Sequence, residues 1–375
     1  MNHSNSFSDG EYSSDELIYD GIVIGTGISS EPVIYHLSKT SLKIIIIDGS
    51  DIYKEYKNIK VNKKKYDYQI TPKQIFSDLK IHDKSNKIAL KSNVRLKCIN
   101  FSYIYSQVSG GLSNFWGGGL HEWPESEIKK TTSLPFSLIK KSYENISKRL
   151  CILDRGQFLK KSHFTNIFLQ KHENIVPNIF QLSKFFISKK GLDEHKQKRE
   201  DFDQNIIWKS SQSIKKYIKN SKNIIYSKNI SALSIKKNDS FNVIYCKKNN
   251  QNLTIKSRSV FLCSGVINST YLAFSALENK KASFKINHSF AAIVPILYFW
   301  LLPRFNKENT EIPELSWSLV NKETNASGYL ISSYFLTKII YKLFNSTFFK
   351  IFQKFILKII SSLGFVTIFT DSSQT

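Results

Sequence analysis

The sequence predicts an α/β protein built on a parallel sheet, and three stretches carry that expectation. Residues 19–49 run in the order apolar strand, glycine turn, helix, isoleucine strand and acid. Residues 223–255 hold short β-rich segments separated by Lys, Asn and Asp turns, the pattern of a β-meander. Residues 259–272 repeat the order of buried strand, glycine turn and helix. Strand–helix alternation of this kind calls for a parallel sheet covered by helices.

In the first stretch, the apolar run 21–24 enters Gly25-Thr26-Gly27-Ile28-Ser29-Ser30, and a helical pattern continues to Ser38. Ile44-Ile45-Ile46-Ile47 then ends on Asp48. A glycine at position 25 lets the chain leave the strand sharply, because no Cβ clashes. A glycine at position 27 lets a pyrophosphate approach the backbone, where N–H groups at a helix start take its charge. Ser30 occupies the third glycine position; it is small enough for helix–strand packing but departs from the strict pattern. Asp48 stands about twenty residues on, where a carboxylate accepts a hydrogen bond from a ribose hydroxyl. Gly25, Thr26, Gly27, Ile28, Ser29 and Asp48 are therefore candidate dinucleotide-binding residues. The plain alternative is an ordinary glycine turn in a buried βα unit.

At 375 residues and 43.3 kDa the chain is long enough for two domains. Its 41% hydrophobic and 13% aromatic content is that of a globular protein. Residues 1–17 read as a polar tail without a basic start or an apolar core, so no secretory signal is expected. The four cysteines form no CxxC pair, which fits reduced thiols and no metal site. No apolar run reaches the ~18 residues of a membrane span, and the stretch 290–303 is interrupted by Pro295. These features favour a cytoplasmic protein. The net charge of +24 comes from lysines spread along the chain, so nucleic acid is not expected as a partner.

The second glycine segment, Ser109-Gly110-Gly111-Leu112-Ser113-Asn114-Phe115-Trp116-Gly117-Gly118-Gly119, packs five of the chain's 15 glycines into ten residues. Such density implies close backbone approach or several positive φ angles, and Phe115 and Trp116 set it apart from a flexible loop. Together with the opening unit, this segment resembles the glucose–methanol–choline (GMC) oxidoreductases, flavoenzymes that bind FAD. The resemblance implies that Gly110, Gly111, Ser113 and Asn114 line the cofactor, with Trp116 near it. Leu134-Pro135-Phe136-Ser137 is similar to the family's Trp-Pro-hydrophobic-Ser stretch, with Leu134 in place of Trp, and Pro135 suits a helix start. Ser264-Gly265 and the following Val266-Ile267-Asn268-Ser269 resemble the turn that brings the family's chain back to FAD. The residue placed like Ile230 touches the adenine through its backbone in that family.

Between these segments, residues 150–220 are lysine-rich, with helical patterning near 178–188 and 210–218. His163, His172 and His195 lie there among charges and read as solvated surface residues. His121 follows the glycine segment and is the one histidine near the presumed flavin; a loop role is its default. After His288 the chain has no histidine, and it shows none of the family's C-terminal catalytic histidine motif. The chain is accordingly expected to lack that segment. Lysines at 338, 342, 350, 354 and 358 recur at multiples of four through 333–363, the pattern of a basic amphipathic helix. Such a helix packs on a core or lies on anionic lipid.

The expected fold is an α/β Rossmann-type FAD-binding domain with a β-meander, over residues 18–280, containing an inserted helical region near 135–220. An incomplete substrate domain follows over 281–375. The expected function is FAD-dependent oxidation of an alcohol, a sugar or polyol among the choices, with an unknown electron acceptor. Catalytic residues are not assigned. The alternatives are an NAD(P)-dependent reductase, for which Asp48 is equally suited, and a truncated or non-catalytic flavoprotein with peripheral membrane contact through 333–363.

Overall fold

The computed structural model describes residues 17–53, 108–114, 118–120, 132–154, 180–182, 184–186, 207–277, 290–297, 315–320, 325–332 and 363–370, with isolated positions 122, 125, 128 and 129. The polar tail, Trp116, His121 and the lysine-rich 338–358 segment lie outside these residues. The chain divides into two compact units, Met1–Phe115 with Lys209–Ser283, and Trp116–Trp208 with Phe284–Thr375.

The first unit is a six-stranded sheet. Its strands are β1 (Ile18–Ile24), β2 (Ile44–Ile47), β7 (Ile224–Ser227), β8 (Ile230–Lys237), β9 (Asn242–Lys248) and β10 (Gln251–Leu262). Their spatial order is β7-β2-β1-β10-β9-β8. The pairs β7–β2, β2–β1 and β1–β10 are parallel, whereas β10–β9 and β9–β8 are antiparallel. Strands β8, β9 and β10 thus form a meander joined to a parallel sheet, whereas 224–226, read from the sequence as the meander's first strand, belongs to β7, which pairs in parallel with β2 at the opposite edge.

Why β2 is an interior strand, between β7 and β1, follows from its composition. Four consecutive isoleucines have no polar face, so both sides of the strand must be covered, and all four are 0% exposed. Ile45 and Ile47 face one side, against Ile22, Ile24 and Leu272 of helix α4 (Val266–Ala276). Ile44 and Ile46 face the other, with Ile34 of α1 (Ser30–Leu37) and Ile214 of α3 (Ser210–Asn220). On that side Tyr217 of α3 donates to the buried Glu31 of α1 at 2.6 Å, a polar tie between two helices.

One difference from expectation lies in β10. The segments 253–255 and 259–263 read as separate strands because polar residues intervene. They form one 12-residue strand whose first part pairs antiparallel with β9 and whose last part pairs parallel with β1. Ser257 shows how this works: it points inward, is 0% exposed and donates to the Ser259 carbonyl.

The second unit holds helix α2 (Phe136–Leu150), which starts just after Pro135 as its pattern predicts. Its five-stranded sheet has the order β11-β14-β13-β12-β5, from β5 (Phe180–Leu182), β11 (Phe290–Leu297), β12 (Leu315–Val320), β13 (Asn325–Ser332) and β14 (Leu363–Thr370). Three shorter strands, β3 (Gly119–Leu120), β4 (Ile152–Asp154) and β6 (Lys184–Phe186), pair in the order β3-β6-β4. The helical pattern near 178–188 is corrected here: β5 and β6 occupy it, because β5 finds a partner in β12 that a local reading cannot see. Pro295 does not interrupt β11, since β11 is an edge strand, where a missing N–H is tolerated.

Candidate functional site

The C-terminal edge of the parallel strands is where the first unit concentrates its special backbone. Three helices begin there, α1 after β1, α4 after β10, and α3 before β7, so three positive dipole ends share one edge. In open parallel sheets this edge is the ligand-binding side.

Gly25 leaves β1 with φ +99°, and a Cβ on it would lie 2.6 Å from the Cys263 carbonyl oxygen. Only glycine fits on both counts. Gly25 N–H donates to the Ile47 carbonyl at 2.9 Å, which ties the turn to β2. At Gly27 the constraint is different: φ is ordinary, and an added Cβ would meet the Cys263 oxygen at 3.7 Å, a normal contact. The turn amides then become the issue. Ser30 and Glu31 donate back to Gly27 and Ile28, while Ser29 forms no side-chain cap. The N–H groups of Gly27, Ile28 and Ser29 have no hydrogen-bond acceptor among the described residues, and Ile28 is 40% exposed. Such a turn presents unsatisfied donors to whatever lies above it.

The second glycine segment sits on this turn. Gly110 and Gly111 have φ +91° and +55°, and a Cβ on Gly111 would lie 3.5 Å from Gly27 Cα. The segment tightens into a 3-10 turn at Gly111–Asn114. Ser113 is buried, with its hydroxyl donating to the Gly110 carbonyl at 2.6 Å. Asn114 Nδ2 donates to the carbonyls of Ser109 and Gly111 at 2.9 and 3.1 Å. Both side chains therefore brace the segment from within.

Asp48 is 6% exposed. Its carboxylate accepts from the Thr26 hydroxyl, and from Ser50 N–H and Oγ at 2.9 and 3.1 Å. Burial pushes its carboxyl pKa up, and the hydrogen bonds from Thr26, Ser50 and Ser109 oppose that rise without cancelling it. Ile230 is buried, and its N–H donates to the Asp48 carbonyl at 2.8 Å. Ser264 N–H donates to Ser269 Oγ at 3.2 Å. Gly265 opens α4 with φ +83° and nothing within 4 Å of a Cβ, so its conformation and not crowding selects glycine.

The structure thus brings Gly25, Thr26, Gly27, Ile28, Ser29, Asp48, Gly110, Gly111, Ser113, Asn114, Ser264 and Gly265 to one edge, while Trp116 lies outside the described residues. Sequence reasoning missed Ser50, Ser109 and Ser210. Ser210 is 0% exposed, and its hydroxyl donates to the carbonyls of Thr26 and Gly110 at 2.9 and 3.2 Å. Its N–H donates to Ser113 Oγ at 3.1 Å. In sequence it is one serine among several at a helix start, and nothing local marks it. Among the described residues no cluster of acids, histidines and cysteines has metal-binding geometry.

No family model matches the chain, and none of the curated proteins is similar to it in sequence. Among solved structures it is similar to pyridoxine 4-oxidase from Mesorbium loti, at 9% identity and a TM-score of 0.55, over 94% of this chain and 71% of that one. A fungal aryl-alcohol oxidase matches at 10% identity, over 66% of this chain and 46% of that one, with a TM-score of 0.36. A flavoprotein/dehydrogenase from Cytophaga hutchinsonii matches at 10% identity, over 94% and 56%, with a TM-score of 0.30. At this identity the likeness to pyridoxine 4-oxidase shows the fold alone, a Rossmann-type α/β sheet of the kind the sequence led us to expect.

Proposed function

We propose that the protein is an FAD-dependent oxidoreductase that oxidises an alcohol and passes the electrons to an acceptor still to be identified. The observation that carries this reading is the turn at Gly27-Ile28-Ser29, whose amides lack acceptors among the described residues and which opens a helix at the C-terminal edge of the sheet. A dinucleotide pyrophosphate suits that turn: it brings anionic oxygens to bare N–H groups at a helix start, where glycine lets it come close. Bound FAD supplies hydride acceptance. The chain's own part is to seat the pyrophosphate on the two glycine segments and to keep the helix starts of α1 and α4 turned towards it.

An absorption spectrum of the purified protein, with mass analysis of what denaturation releases, tests the cofactor. Flavin bands and a released FAD mass support the reading; a colourless protein that takes up no added FAD overturns it. Turnover is then assayed with an artificial electron acceptor against sugars, polyols, aryl alcohols and pyridoxine. Reduction of the acceptor by any of them supports alcohol oxidation, and reduction by NADPH or NADH alone would favour a reductase.

A further inference from the structure

Asp48 ends β2 with its backbone pinned on both sides: its N–H donates to the Ser227 carbonyl at 3.2 Å and its carbonyl accepts from Ile230 at 2.8 Å. The carboxylate is therefore mounted on backbone held at both its N–H and its carbonyl. From the second glycine segment, two consecutive amides reach towards it through hydroxyls. Ser109 N–H donates to Ser50 Oγ at 2.6 Å, and Gly110 N–H donates to Thr26 Oγ1 at 2.9 Å. Each hydroxyl then donates to a different oxygen of Asp48, Ser50 to Oδ1 at 3.1 Å and Thr26 to Oδ2. A hydroxyl that accepts an amide proton has its own proton to give, so both relays run in one direction. They end on a group that, when ionised, only accepts.

We propose that Asp48 is a positioning residue. Through Thr26 and Ser50 it docks the Ser109–Gly110 backbone onto the Gly25–Gly27 turn, and so fixes how the two glycine segments sit against each other. With hydrogen bonds accepted from Thr26 and Ser50 of its own chain and 6% exposure, the side chain works inward. This is a different job from the outward reach to a ribose that its place in the sequence suggests. The identity of the ligand at the turn rests on the FAD reading, whereas the docking is a property of the chain alone.

The full-length protein tests both parts separately. Hydrogen exchange at the Ser109 and Gly110 amides, without added cofactor, reads the docking; FAD titration by flavin fluorescence reads its consequence. Thr26→Val keeps the side-chain shape and breaks one relay, Ser50→Ala breaks the other, and Thr26→Ser restores the hydroxyl. Either relay mutant is expected to exchange about tenfold faster at these two amides, with FAD affinity falling by about the same factor, the effect of one buried hydrogen bond. Thr26→Ser is expected to recover both. Wild-type exchange at these amides in Thr26→Val, Ser50→Ala and Asp48→Asn overturns the proposal. A loss of FAD affinity confined to Asp48→Asn would then assign the carboxylate to direct ligand contact. If no form of the protein binds FAD, the functional reading fails, and the exchange rates still decide the docking.

Discussion

Replacing Gly25 and Gly27 by alanine, one at a time, separates what the fold demands of this turn from what a ligand demands. At Gly25 the backbone has φ +99° and the new methyl would lie 2.6 Å from the Cys263 carbonyl oxygen, itself held in a strand end. A side chain in that conformation costs about 1–3 kcal/mol. The clash with fixed backbone adds a displacement of β10 or of the turn. A loss of about 3 kcal/mol or more is expected, which lowers a urea midpoint by about 1 M or more at m-values near 1–3 kcal/mol/M. At Gly27 the new methyl meets the same oxygen at 3.7 Å with no positive φ, so the fold accommodates it. Stability should change by less than about 1 kcal/mol, with a small gain from the stiffer unfolded chain. Yet that methyl covers the backbone where a pyrophosphate has to approach, so FAD affinity should fall at least about tenfold while folding is intact. Urea denaturation and FAD titration on both variants check this. A Gly27→Ala protein that binds FAD like wild type would refute the proposed approach at Gly27, and one that unfolds like Gly25→Ala would refute the steric argument.

The remaining predictions use the same assays or simpler ones. Ile46→Ala removes a fully buried side chain from a covered interior strand of the sheet, and should destabilise by about 2–5 kcal/mol in a melt. Asp48 has its pKa raised in the folded state by burial, from an ordinary value of 3.8. The folded protein therefore holds a proton that the unfolded chain releases, and stability contributed at this site falls as pH rises from that value through the raised one. Comparing denaturation midpoints of wild type and Asp48→Asn across this window should show wild type losing ground as pH rises; the opposite slope would refute the assignment. Burial pushes the Cys246 thiol up to about 12 and the Cys263 thiol up to about 11. Both should resist iodoacetamide at pH 8 in the native protein and react on unfolding, as mass mapping would read.

Legibility followed the distance over which each feature is encoded. The opening unit was readable because strand, glycine turn, helix and strand are contiguous, and because the four isoleucines can only be covered on both faces. The start of α2 after Pro135 and the span of α3 were local too. Residues 178–188 were misread because their helical spacing is overridden by pairing with β12, more than a hundred residues later. β10 was divided because Lys256, Ser257 and Arg258 interrupt the apolar pattern; Ser257 is buried on the strand's inward face all the same. Ser113 and Asn114 were expected beside a cofactor on resemblance, and the structure shows their hydroxyl and amide bonded back to their own segment.

By itself, the sequence determined that a parallel sheet with a glycine turn and a meander would form, because periodicity, glycine placement and turn chemistry act over a few residues. Only the tertiary structure decided that Gly110 would sit on Thr26, 84 residues away, and that Ser210 would close the same cluster from 184 residues away. It also decided that Asp48 would turn into that cluster. Single hydroxyls and amides have no pattern along a chain. Their partners are chosen by burial, since each polar group taken from water at that edge has to find another one there.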